Sequence, residues 1–175
     1  MPKRELADHI PQFVDGIRQF ADEKGIHYDL IHSHYWLSGL AALDLRASWG
    51  VPVVQMFHTL AAMKNRVALN ADDSEPPFRL DSELRLLRDA DCIVASTQAE
   101  LAQFQWLYHA DVRHVVVIPP GVDTSRFYPI SPDEAKEFIG VPCEKNMILF
   151  VGRIERLKGI DTLLEAIALL SQQGA

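Results

Sequence analysis

The hydrophobic residues of this chain follow two different periods. Short runs of consecutive apolar residues alternate with longer segments in which apolar residues recur every three or four positions. The short runs are typical of buried strands, and the longer segments are typical of amphipathic helices. Strands are predicted in this way over residues 28–34, 51–57, 91–97, 113–120 and 146–152.

The predicted helices have recognisable ends and apolar faces. The first two are expected to end at Gly25 and Gly50, because glycine readily adopts the left-handed conformation that closes a helix. Ser96 or Thr97 is expected to cap the helix after the third strand. Helices are predicted over residues 9–25, 36–50, 81–90, 98–109, 133–140 and 160–174. The apolar face of the first comprises Ile10, Phe13, Val14, Ile17 and Phe20, and that of the last comprises Ile160, Leu163, Leu164 and Ile167.

Strands that are apolar throughout and alternate with helices predict an α/β fold, a Rossmann-like parallel sheet with helices on both faces. Residues 1–119 are expected to form an incomplete N-terminal domain. Residues 120–175 are expected to form a proline-rich linker and the first strand-helix unit of a second domain, because so short a segment is too small for a domain of its own. The chain opens with a helix and no preceding strand, so both ends are expected to be truncated.

Composition and charge exclude several classes of protein. The chain is 48% hydrophobic and 23% charged, which is ordinary for a soluble domain. A net charge of −7 argues against a general nucleic-acid-binding protein. No apolar run approaches the length of a membrane span, and the N-terminus has no signal-peptide core. The two cysteines, Cys92 and Cys143, lie far apart and form no disulfide framework or zinc motif, so a reducing cytoplasm is expected.

The segment LFVGRIERLKGID, residues 149–161, places two cations around a turn from strand to helix. Ligands of open α/β sheets bind at the carboxyl ends of strands, and a helix N-terminus favours phosphate. Gly152 would allow a ligand close to the backbone, Arg153 offers a bidentate fork, and Lys158 adds a point charge. The pattern fits two cations that flank a diphosphate, but two solvated loop residues would give the same pattern.

A second candidate cluster, FHTLAAMKNRV, follows the strand over residues 51–57. His58 and Thr59 are expected at the same edge of the sheet, where a histidine could bind a sugar hydroxyl. Lys64 and Arg66 could attract an anionic ligand. A loop histidine that merely ends the strand is the alternative interpretation.

The segment HSHYW places His32 and His34 on one side of a strand. Together with His58 they raise the possibility of a metal site, but no acidic ligand pattern accompanies them. Core histidines bonded to neighbouring backbone are therefore the favoured interpretation. Tyr35 is expected at the ligand edge, and Trp36 in the core.

Arg79, in the segment EPPFRLDSE, is expected near the start of the next helix. It is interpreted either as a phosphate clamp for an acceptor or as a solvated arginine. The proline-rich segment PPGVDTSRFYP is interpreted as a hinge between domains.

Five segments in this order carry a resemblance to a known family: HSHYWLSG, FHTLAAMKN, EPPFR, IPPGVD with RFYP, and FVGRIERLKGID. The chain resembles the retaining, nucleotide-sugar-dependent glycosyltransferases of the GT-B fold. Within that family it is most similar to the branch that contains an inositol-phosphate glycosyltransferase and sucrose-phosphate synthase. The resemblance covers nearly the whole chain.

The resemblance implies two Rossmann-like domains with the active site between them, and it implies roles for individual residues. His58 is expected to contact the donor sugar, with Gly152 close to the donor. Arg153 and Lys158 are expected to bind the donor diphosphate and stabilise it as it leaves, without a required metal ion. The contacts to the phosphate of a small acceptor correspond to Tyr35, Thr59, Lys64 and Arg79. The implied partners are a nucleotide-sugar donor and this acceptor, and no cofactor is implied.

Two family motifs are absent. The glycine-rich loop after the first strand would precede residue 1, and the pair of glutamates that bind the donor would follow residue 175. The isolated chain is therefore expected to be an inactive and poorly stable fragment. A sugar-nucleotide epimerase on the same fold and a non-catalytic module that binds nucleotide or sugar phosphate remain alternatives.

Overall fold

The structure is a computed structural model that describes residues 5–155 and 158–173, without the side chain of Asp72. The chain divides into two compact units, with the boundary between Pro120 and Gly121.

The first unit is built on four parallel strands that pair in the order in which they occur along the chain. These strands are β1 (Ile31–His34), β2 (Val53–Met56), β3 (Cys92–Ala95) and β4 (Val115–Val117). Ile31 pairs with Val53, Gln55 with Ile93, and Val94 with Val116. Neighbouring parallel strands need a crossover connection, and each of these connections contains at least one helix. The predicted parallel α/β fold is confirmed.

Seven α-helices occur among the described residues: α1 (Ile10–Lys24), α2 (Tyr35–Trp49), α3 (Ala61–Val67), α4 (Pro77–Asp89), α5 (Gln98–Tyr108), α6 (Pro132–Phe138) and α7 (Ile160–Gln172). Short 3₁₀ turns cover Glu5–His9 and Ala71–Asp73. Among these described helices, none is long and apolar enough to cross a membrane.

The predicted helix ends are mostly confirmed. Gly25 and Gly50 end α1 and α2 in the left-handed conformation, at φ 60° and 68°. Thr97, rather than Ser96, caps α5, because its side chain accepts a hydrogen bond from the Glu100 N–H. Helix α4 begins at Pro77, four residues earlier than predicted, because proline is well suited to the first position of a helix. The connection after β2, for which no helix was predicted, contains α3.

One face of the sheet is more deeply buried than the other. Ser33, Val53 and Gln55 lie on the deeply buried face, whose core includes residues of α2. The alternate positions His32 and His34 point to the opposite side and are exposed. The core also contains Trp36, as predicted.

The inner face of α1 differs from the predicted stripe. Val14 and Ala21 are buried, whereas Phe13 and Phe20 are 58% and 50% exposed. The buried positions differ by seven residues, which is two helical turns, and the two phenylalanines lie beside that line. The prediction placed the large phenylalanines on the buried face of α1. Smaller residues occupy that face instead, because they fit where α1 packs closely against α2.

The strand predicted over residues 146–152 does not form. Ile148, Leu149 and Val151 are 62%, 69% and 85% exposed, and none of the four strands of the described chain pairs with this segment. A strand requires a hydrogen-bonded neighbour, and an apolar run alone does not supply one. The helix that follows, α7, has no buried residue, and its Leu164 is 60% exposed.

Two glycines in helix interiors provide a matched test of core packing. A Cβ on Gly39 would collide with the Gln55 side-chain oxygen and lie 2.7 Å from both Leu86 methyl groups, whereas a Cβ on Gly16 would meet nothing within 4 Å. Gly39→Ala should lower the free energy of unfolding by about 1–3 kcal/mol because the core is overpacked. Gly16→Ala should raise it by about 0.5–1 kcal/mol because alanine favours helix. Denaturant unfolding of both variants tests this, and equal stability of the two variants would contradict it.

Candidate functional site

The carboxyl ends of β1 and β2 carry two residues in a strained backbone conformation. Tyr35, directly after β1, has φ 73°, and His58, just after β2, has φ 64°. Bulky residues rarely adopt the left-handed region, at a cost of about 1–3 kcal/mol, and such residues cluster at ligand sites. Only one other non-glycine residue of the described chain, His109, has a positive φ, and it ends α5. Backbone strain is therefore concentrated where open α/β sheets bind ligands.

Arg79 is buried beneath this edge, with no exposed surface. Its Nε donates to Glu83 Oε1 at 2.9 Å, and its Nη2 donates to the Thr59 carbonyl and hydroxyl oxygens at 3.1 and 3.2 Å. The guanidinium carbon lies 5.0 Å from the centroid of the Tyr35 ring. The interpretation of Arg79 as a solvated residue is therefore wrong. Arg79 instead connects Tyr35 and Thr59, two residues that the sequence placed in the same site.

Glu75 extends this network to Lys64. Its Oε1 lies 2.5 Å from Lys64 Nζ and 2.8 Å from Arg79 Nη1. Partial burial raises the pKa of the Glu75 carboxyl, but the hydrogen bond from Lys64 and the charges of both cations outweigh burial and hold this pKa below its ordinary value. The four residues predicted to contact an acceptor phosphate, Tyr35, Thr59, Lys64 and Arg79, thus form one connected cluster.

Glu83 anchors the cluster from the core, where its carboxylate is completely buried. Besides Arg79 Nε, it accepts the Ala61 N–H at 2.9 Å, which is a free donor in the first turn of α3. It also accepts the Tyr108 hydroxyl, whose oxygen accepts the Ala62 N–H at 3.1 Å. Burial and the neighbouring Glu83 charge raise the pKa of Tyr108 far above its ordinary value.

Glu83 and Tyr108 were not recognised from the sequence. The spacing of Arg79 and Glu83 by four residues on one helix was the available signal for the first. No local signal indicated Tyr108, because it reaches the cluster from α5.

His32 and His34 are exposed, so their interpretation as core residues bonded to neighbouring backbone is wrong. His34 Nδ1 lies 2.7 Å from His58 Nε2, and the His32 ring centroid lies 4.3 Å from that of His34. Partial burial, together with the charges of His34 and His58, lowers the pKa of His32. Among the described residues, no group of three or more histidine, cysteine or acidic side chains is arranged to hold a metal ion.

The predicted donor-binding residues Gly152, Arg153 and Lys158 belong to the second unit. Arg153 is exposed and lies 2.9 Å from Glu155, and Lys158 is exposed just before the first turn of α7. A Cβ on Gly152 would contact only the Phe150 ring, at 3.3 Å. Both cations are therefore accessible to a ligand, and their role in donor binding stays a prediction.

Removal of the Glu83 carboxylate should be strongly destabilising. Glu83→Ala leaves the Arg79 charge buried with reduced compensation, so the free energy of unfolding should fall by about 3–5 kcal/mol. Asp111→Ala is the matched control, because it removes an acid that pairs with Arg113 at the exposed surface and should have a much smaller effect. Denaturant unfolding compares the two variants, and similar losses would contradict the structural role of Glu83.

The lowered pKa of His32 predicts a pH dependence of stability. As the pH falls below 6.5, the ordinary value for histidine, the unfolded chain binds the proton before the folded chain does, so folding loses free energy. His32→Asn should make the free energy of unfolding less dependent on pH in this window. Unfolding curves at several pH values test the slope, and a His32 titration midpoint at or above 6.5 by NMR would contradict it.

Comparison with known proteins shows which family the chain belongs to. The D-inositol 3-phosphate glycosyltransferases of Nocardiopsis dassonvillei and of Arthrobacter sp. strain FB24 are 42% and 43% identical to the chain over 174 and 171 residues. The alignments cover 99% and 97% of this chain and 41% of each relative. The chain therefore spans about two fifths of the length of these curated relatives.

Among solved structures, the sucrose-phosphate synthase of Thermosynechococcus elongatus superposes with a TM-score of 0.78 at 30% identity. That match covers 97% of this chain and 41% of the synthase. Residues 1–126 match glycosyltransferase family 4, and by this match over most of its length the chain belongs to that family.

Proposed function

We propose that this chain supplies part of a glycosyltransferase that transfers a sugar, with retention of configuration, from a nucleoside-diphosphate sugar to a small phosphorylated acceptor. The acceptor class is an inositol phosphate or a sugar phosphate. Residues 1–119 are assigned to the acceptor side, and residues 120–175 to the beginning of the donor side, in a cytoplasmic enzyme. The observation that carries the proposal is the cluster in which Arg79 joins Tyr35, Thr59 and, through Glu75, Lys64 in a member of glycosyltransferase family 4.

The hydrogen bonds of the cluster suit a phosphate group. The Thr59 hydroxyl accepts from Arg79, so its own proton is free to be donated to a phosphate oxygen. The Glu75 carboxylate oxygen already lies between two cations, Lys64 and Arg79, which is the arrangement that a phosphate oxygen favours. Glu75 is only partly buried, whereas Glu83 is buried completely. A dianionic phosphate would therefore displace Glu75 from Lys64 while Glu83 continues to hold Arg79.

The donor side rests on His58 and on the two exposed cations of the second unit. In the proposed reaction, His58 contacts the donor sugar, and Arg153 and Lys158 neutralise the diphosphate as its bond to the sugar breaks. Charge that develops on a leaving group is stabilised most effectively by donors already in place. Neutralisation by these two side chains is the reason to propose transfer without a required metal ion.

Phosphate recognition can be tested on the 175-residue chain by NMR titration with inositol phosphate, inorganic phosphate and neutral inositol. We expect the two phosphates to bind and neutral inositol to leave the spectrum unchanged. Lys64→Gln should weaken binding at least about tenfold, because a direct charge-assisted contact is lost. Arg66, the other cation that the sequence suggested for an anion, is exposed, whereas Lys64 is the one that binds Glu75. Arg66→Gln, which removes the same charge from the same helix, is therefore the matched control and should have little effect. Equal binding of neutral inositol would contradict a phosphorylated acceptor.

We expect no sugar transfer from the 175-residue chain, because it spans 41% of the length of its curated relatives. The chain can replace the matching segment of the Nocardiopsis dassonvillei relative, and the chimera can be assayed with nucleoside-diphosphate sugars. Arg153→Ala together with Lys158→Ala should lower kcat by at least about 10²-fold, since the departing diphosphate loses its donors. Lys145→Ala, at an exposed lysine of the same unit, is the control. Undiminished turnover by the double variant would disprove the donor-side assignment.

A further inference from the structure

His34 and His58 form a hydrogen-bonded pair across two neighbouring strand ends. His34 Nδ1 lies 2.7 Å from His58 Nε2, the ring planes differ by 19°, and the ring centroids are 5.0 Å apart. With two ring nitrogens 2.7 Å apart and the centroids 5.0 Å apart, the rings meet through their nitrogen-bearing edges. The contact therefore uses one nitrogen of each ring.

We propose that His34 is a positioning residue that fixes the tautomer and the ring plane of His58. The inference rests on the proposed function in one respect, because His58 acts on a donor sugar only if the protein is the proposed transferase. The pairing of the two rings is a property of this chain whether or not transfer occurs.

The chemistry of neutral imidazole leads to this inference. A neutral ring carries one N–H donor and one bare acceptor nitrogen, and a histidine side chain favours the proton on Nε2. If His58 Nε2–H donates to His34 Nδ1, both rings keep this favoured form, so His34 selects the tautomer of His58 in which Nδ1 is the acceptor. The contact with His34 uses Nε2 of His58, which leaves Nδ1 to face a ligand. Within the described part of the chain, no other hydrogen bond reaches either histidine ring. A sugar hydroxyl would therefore meet an Nδ1 whose hydrogen-bonding role His34 has already set.

The position of His58 explains why its ring must be restricted by a second residue. It is exposed, it lies between β2 and α3, and its backbone is held at φ 64°. An exposed side chain on a short connection samples several rotamers, and ordering it on ligand binding costs conformational entropy. The hydrogen bond to His34, which belongs to the rigid end of β1, restricts the ring before the ligand arrives. Such preorganisation is what a precise contact to a reacting sugar requires.

His32 provides the contrast that separates hydrogen bonding from ring packing. Its ring centroid is 4.3 Å from that of His34, the planes are inclined at 44°, and the pair shares no hydrogen bond among the described contacts. Both histidines are exposed on the same side of β1. Replacement of His32 therefore perturbs the ring cluster without touching the bond that fixes His58.

The test is the ¹⁵N spectrum of the His58 ring in the 175-residue chain, at a pH where the ring is neutral. We expect two widely separated nitrogen resonances, as for a single tautomer. In His34→Phe, which keeps a ring but lacks the hydrogen-bonding nitrogen, the two resonances should move together as both tautomers become populated. His34→Asn places an amide near the position of Nδ1 and should restore the separation, and His32→Phe should leave it unchanged.

The wild-type spectrum alone can overturn the proposal, since averaged resonances would show that His34 fixes nothing. Unchanged resonances in His34→Phe would overturn it as well. A merely structural role for His34 would shift the melting temperature without moving the tautomer ratio, so both quantities are measured.

The chimera supplies the kinetic readout. His34→Phe should lower kcat/KM for the donor about tenfold and leave KM for the acceptor unchanged, and His34→Asn should recover most of the loss. A chimera that transfers no sugar would count against the proposed function and leave the tautomer result standing. A chimera that transfers sugar while His34→Phe behaves as wild type would refute the positioning role alone.

Discussion

The candidate site depends on one buried ion pair. Arg79 and Glu83 lie on adjacent turns of α4, and neither side chain has any exposed surface. Burial of two charges is favourable only if each group is almost completely hydrogen-bonded. Glu83 meets this condition through the start of α3 and the Tyr108 hydroxyl. Arg79 donates to Glu83 and Thr59 through Nε and Nη2, and its Nη1 is compensated by the charge of Glu75. The pair therefore links three helices and the loop after β2 at one point.

The two glutamates that contact Arg79 differ in burial and therefore in what they can do. Glu83 belongs to the core and does not reach solvent, so it fixes Arg79 in place. Glu75 is only partly buried and shares its oxygen between Lys64 and Arg79, so an incoming anion can compete with it. The buried Glu83 thus supports Arg79, while the partly buried Glu75 occupies the position that the proposal assigns to a phosphate.

The residues proposed to bind the acceptor and those proposed to bind the donor differ in how well the chain packs around them. The cluster around Arg79 lies at the edge of a packed parallel sheet, and the buried Glu83 holds it from the core. The cations Arg153 and Lys158 belong to a unit whose final helix has no buried residue. The chain spans 41% of the length of its curated relatives.

The sequence by itself determined which segments have helical and which have strand periodicity, the parallel α/β class and the family. These properties depend on local apolar spacing and on the order of short motifs. Only the tertiary structure decided which of those residues are buried and paired. Arg79 is covered because Thr59 and Tyr35 reach it from two other segments of the chain, whereas only Glu83 on its own helix was indicated by spacing. Conversely, the apolar run over residues 146–152 remained without a strand, because pairing requires a neighbour that local sequence does not specify. Convergence of distant segments is a property of the packed chain, and no local pattern encodes it.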